Sequence, residues 1–178
     1  MHTQVPVNSP QALELTRKVL RGLRALNVVY GAAILLLLIA SLAAPEFVFR
    51  ALGVREGAGE DRLITAGRAL MVVGVAGAVV AHMILTQLLA IVDTVRAGDP
   101  FVTRNAGRLQ TIAWLVLGTE LLHLMVGGIA RLASAGGQPL DIDWSFSFTP
   151  WIAVLLLFVL ARVFEHGARM REDLEGTV

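Results

Sequence analysis

Four apolar runs, at residues 26–44, 63–91, 109–129 and 146–164, most narrow what this chain can fold into. About 20 apolar residues in helical form cross a hydrocarbon layer of about 30 Å, and each run meets or approaches that length. In lipid every backbone polar group must be satisfied within the segment, which leaves helices or closed barrels. Runs this long and this continuous are helical. The expected fold is therefore an all-α integral membrane protein, a four-transmembrane-helix bundle. Composition agrees: 56 % of residues are hydrophobic and 16 % charged, against roughly 45–50 % and about 25 % in soluble domains. At 178 residues one domain is expected. With no cysteine, disulfides, thiolate metal sites and a cysteine nucleophile are excluded.

Residues 1–25 precede the first run. Ser9 and Pro10 read as N-cap and first helical residue, with Glu14 in the first turns. Beyond them Leu13, Leu20 and Leu23 interleave with Arg17, Lys18, Arg21 and Arg24 at helical spacing. Two readings fit: an amphipathic helix lying on an anionic leaflet, or a positively flanked extension of the first span. The first run is longer than a signal-peptide core of about 7 to 15 residues and follows a long lead, so it is read as a retained span despite Ser41 and Ala43. Pro45 closes that span, and Phe47, Phe49 and Leu52 are expected at the interface.

The second and third runs form a hairpin across residues 67–129. Gly98 and Pro100 end its first arm, and Thr103 or Asn105 is expected to cap the second. Gly74, Gly77, Ala78 and Ala81 make a small-residue stripe at helical spacing, suited to close helix packing or to a homo-oligomer contact. Trp144 and Trp151 suit an aromatic belt around the last run, and residues 165–178 read as a charged helical tail. Leaving out Arg68 and counting Arg162 with the tail, arginine and lysine number ten on the side of the N-terminal segment, the 96–108 loop and the tail. The opposite loops hold four, Arg50, Arg55, Arg62 and Arg131, with Glu46, Glu56, Glu60, Asp61, Asp141 and Asp143 beside them. The positive-inside rule puts both termini in the cytoplasm, which for a bacterial chain means a multi-pass inner-membrane protein.

Four ionisable residues sit deep in the hairpin: Arg68, His82, Glu120 and His123. With inner boundaries near Ile91 and Leu109, His82 lies about 14 Å and Glu120 about 16 Å inward, at one level. Arg68 is nearer the outer surface. The group reads either as a proton or ligand site, which would suit a small proton-coupled carrier, or as an internal pair fixing helix register. A lone Glu-Xxx-Xxx-His at Glu120 and His123 is no metal set, and no phosphate loop, serine elbow or zinc motif is present. Neither catalysis nor a metal or cofactor is expected.

The loop residues Gly98, Pro100, Phe101, Asn105, Arg108 and Leu109, with Phe164, Gly167, Leu174, Thr177 and Val178 at the end, resemble the two signature stretches of a bacterial four-helix membrane family, domain-of-unknown-function family 2975. Met170 and Gly176 depart from its usual tail. The resemblance covers about residues 26–178 and implies no reaction. It implies association with small helix-turn-helix transcription factors. The expected function is therefore a membrane interaction or regulatory protein, with no direct contact to nucleic acid. Its docking candidates are Arg96, Pro100, Phe101, Arg104, Asn105 and Arg108 in the loop and Glu165, Arg169 and Arg171 in the tail. A structural subunit of a membrane complex is the blander alternative.

Overall fold

Pro10 begins the first helix, α1 (Pro10–Ala43), where a missing N–H and a fixed φ suit the first turn. The structure is a computed structural model and describes residues 10–53, 60–134 and 147–175. Ser9, Arg55, Glu56, Asp141, Asp143, Trp144, Phe146, Thr177 and Val178 lie outside the described residues. α1 runs unbroken through the basic stretch and the first apolar run, so these form one helix of 34 residues. At about 1.5 Å per residue it is about 51 Å long and extends well beyond a hydrocarbon core. Near its start Lys18 holds Glu14 at 3.0 Å, and that hydrogen bond and charge keep the Glu14 carboxyl below the usual carboxylate range.

Pro45 ends α1 and opens a second, short helix, α2 (Pro45–Ala51). This segment corrects an expectation. Phe47 is exposed, as an interfacial residue would be, but Phe49 is only 3 % exposed and Val48 is also buried. The helical turn points Phe49 at Gly67, whose missing side chain makes the notch that receives the ring. Three long helices follow: α3 (Glu60–Arg96), α4 (Thr103–Ser134) and α5 (Thr149–Glu175). Together with α1 they are four helices long and apolar enough to cross a membrane. α3 and α4 contain their expected apolar runs and outreach them at both ends. α1 stops one residue short of its run's end, α5 starts at Thr149 rather than 146, and residues 165–175 continue α5 without a break.

Packing follows chain order: α1 against α3, α3 against α4 and α4 against α5, with α2 on α1. The four-helix arrangement is thus an open row, in which α1 and α5 form the two edges. In lipid no hydrophobic force drives helix to helix, so close approach and interhelical hydrogen bonds must hold the row. Both are present between α1 and α3. A methyl added to Gly31 would stand 3.0 Å from the Ala78 methyl, and one added to Gly74 would stand 3.3 Å from Ile34. The Asn27 amide donates to the Ala78 carbonyl at 2.8 Å. Half of the small-residue stripe is therefore taken up by α1 within the same chain, whereas a methyl at Gly77 would meet nothing. Replacing Asn27 with leucine should lower unfolding stability in detergent by about 0.6–2 kcal/mol, the range for interhelical hydrogen bonds in membranes, as read by denaturant titration.

Candidate functional site

The turn between α3 and α4 is built on Gly98. Its φ of 85° is the left-handed conformation that glycine adopts without a Cβ clash. The Gly98 amide donates to the Val95 carbonyl and the Asp99 amide to the Thr94 carbonyl, each at 3.1 Å, the bond pair of a Schellman stop. Pro100 then prevents the helix from resuming. Asn105, fully buried on the first turn of α4, fastens the turn from within. Its amide nitrogen donates to Thr94 Oγ1 at 2.7 Å and to the Pro100 carbonyl at 2.9 Å. Its Oδ1 accepts from Arg108 Nη1 at 2.8 Å, and the same guanidinium nitrogen reaches the Ala90 carbonyl of α3 at 3.0 Å.

Neither expected cap bond forms. Asn105 turns its side chain across the turn, and Thr103 Oγ1 donates to Glu172 Oε1 in α5 at 2.8 Å. That second bond belongs to a seam between loop and tail. Arg171 pairs with Asp99, and the Phe101 ring lies 5.2 Å from that of Phe164. Gly167 leaves room for Phe101, since a methyl there would stand 3.1 Å from its ring. A crevice of about 270 Å³ runs along the seam, with Arg104 and Ala168 among its walls. Farther up α5, Glu165 is held by Arg169 at 2.6 Å and Arg162 at 3.1 Å. On the other side, Arg17 of α1 reaches Asp93 of α3 at 2.8 Å. The start of α1, the loop and the end of α5 therefore share one end of the molecule.

The deep group is more dispersed. Arg68 donates to the Ser41 carbonyl at 2.6 Å, a bond between α3 and α1 at the end opposite the loop. Among the described residues no hydrogen bond or ion pair joins His82 to Glu120, and both are partly buried. His123, one turn on from Glu120, faces a groove shared with Asn27, Tyr30, Gly77, Ala81 and Thr119. Depth arithmetic sets the height of a residue on its helix and leaves its rotation about the axis open.

The comparisons bear on the chain as a whole. A family model described as protein of unknown function, DUF2975, matches residues 38–178. The chain belongs to that family. No curated protein and no solved structure matches it. The DUF2975 match runs from the last residues of α1 to the end of the chain, so both stretches that carry the resemblance fall inside it. In this DUF2975 chain those stretches meet, through Phe101 on Phe164 and Gly167. The partners that complete the seam and the buried knot, Thr94, Asp99, Thr103 and Glu172, are absent from the sequence-based site. Thr94 and Asp99 flank the glycine stop and were open to discovery there. Thr103 and Glu172 are 69 residues apart, and no spacing rule joins them.

Proposed function

We propose that this chain is a non-enzymatic membrane protein of the bacterial inner membrane that docks a cytoplasmic partner on the end formed by the 96–108 loop and the tail. The carrying observation is the seam itself: Asp99 on Arg171, Thr103 on Glu172 and Phe101 on Phe164 join two separate stretches into one surface. A surface assembled before binding loses less conformational freedom when a partner arrives. Arg96, Arg104 and Arg169 are exposed around it, which favours a partner with an acidic face. A small helix-turn-helix regulator is the partner the family resemblance implies. It would be held by protein contacts, leaving its own basic face for nucleic acid. The arginine and lysine count supports a cytoplasmic position for this end.

Co-purification from gently solubilised membranes tests the reading. The unaltered chain should retain a cytoplasmic protein that is depleted at least about tenfold, about 1.4 kcal/mol of binding, in the exposed-surface variant Arg104→Glu with Arg169→Glu. Removal of residues 165–178 should deplete the same protein. If recovery of every cytoplasmic protein is unaffected by both changes, the docking reading fails.

A further inference from the structure

Between α4 and α5 lies a second groove, of about 530 Å³, whose lining shares Glu165 with the docking candidates but none of the residues that line the seam crevice. Its walls change character along the helix axes. At the loop end are Gln110, Arg162 and Glu165, and toward the middle of the spans is Phe158. Trp114 lies edge-on to Phe158 with ring centroids 5.3 Å apart. Four residues separate Gln110 from Trp114 and Arg162 from Phe158, about 6 Å of rise. The polar rim therefore sits within a residue or two of the expected span boundaries at 109 and 164, and the aromatic pair sits one turn deeper. Gly107 lines the groove, and the space beside it is open, since a methyl there would meet nothing within 4 Å.

The charges leave a positive surplus. Glu165 is shared by two arginines, and the shorter contact is to Arg169, at 2.6 Å against 3.1 Å for Arg162. Arg169 suffices to hold the carboxylate, and the Arg162 side chain is 83 % exposed. Its guanidinium can exchange that longer contact with Glu165 for an anion at the membrane surface, where arginine matches phosphate geometry.

We propose that this groove binds an anionic glycerophospholipid, its phosphate on Arg162 and Gln110 and the upper part of an acyl chain along Phe158 and Trp114. Free phosphate would satisfy the rim alone. A lipid satisfies rim and aromatic wall together, in the order in which headgroup and chain occur in a leaflet. The groove recognises the charge of the headgroup at one fixed depth.

The full chain carrying Trp144→Phe and Trp151→Phe retains Trp114 as its single tryptophan and reports on the groove by fluorescence. It is reconstituted in phosphatidylcholine vesicles containing a rising fraction of brominated phosphatidylglycerol or, in parallel, brominated phosphatidylcholine. Half-quenching should come at about a fivefold lower fraction of the phosphatidylglycerol, the preference one arginine gives at an anionic surface. Arg162→Gln should bring the two lipids to parity, and Arg162→Lys should restore most of the preference. Equal quenching in the unaltered Trp114 chain, or a preference that survives Arg162→Gln, overturns the proposal. A preference erased by millimolar inorganic phosphate assigns the rim to free phosphate and overturns the lipid as ligand.

Discussion

Replacing Asn105 with leucine should destabilise the protein by about 2–4 kcal/mol, the summed effect of three side-chain hydrogen bonds inside the fold, one of them to a charged group. The amide donates to Thr94 and to the Pro100 carbonyl and accepts from Arg108. Leucine keeps the branched skeleton of asparagine but is bulkier, so overpacking adds to the polar loss. Arg108 would keep only the Ala90 carbonyl, and the part-buried Pro100 carbonyl would lose its donor. Aspartate should fail as well. It restores an acceptor for Arg108 but places an oxygen where Thr94 and Pro100 need a donor. Denaturant titration in detergent reads the loss. Trypsin supplies a local check, because Arg96 and Arg104 flank the turn and cleavage there should quicken if the knot opens. An Asn105→Leu chain with unchanged midpoint and unchanged cleavage would remove this network from the account of the turn.

Asn105 also shows where sequence reading stops. Its position just past a glycine and proline stop marks a helix start, and a cap is the local use for asparagine there. The side chain instead bonds to residues on the far side of the turn, which become neighbours only once Gly98 has reversed the chain. Features set by the chain's own covalent neighbourhood were legible: the four long apolar helices, the stop at Gly98 and Pro100, and the close packing by Gly74 and Ala78. Features set by rotation about a helix axis were not. His82 and Glu120 have similar calculated depths, yet no bond joins them. Arg68, grouped with Glu120 among the deep ionisable residues, donates to the Ser41 carbonyl of α1. Ser41 read as part of a mock cleavage site, and its actual role depends on which helix packs beside α3. Asn27 was legible in principle, being a lone amide in an apolar run, and such a residue in lipid must find an acceptor.

Gly67→Ala should destabilise the chain by about 1–3 kcal/mol, the usual effect of overpacking a filled site, although alanine is ordinarily the better helix former. The new methyl would stand 2.5 Å from Cε1 and 3.2 Å from Cζ of the Phe49 ring. That ring is 3 % exposed, so it has little free space into which to retreat. Relief must come from moving α2 away from α3, which lies next to the Arg68 bond to Ser41. Two comparisons isolate the cause. Gly77→Ala adds the same methyl on the same helix where nothing lies within 4 Å, so it should be neutral or stabilising by up to about 1 kcal/mol. Phe49→Leu should weaken the native chain by loss of packing but relieve the clash, making the double variant with Gly67→Ala less unstable than the two single losses added together. A coupling of at least about 0.5 kcal/mol in that cycle, from unfolding titrations on all four chains, identifies the notch and its ring as one packing unit. Strict additivity would mean that α2 sits away from Gly67, and the burial of Phe49 would need another cause.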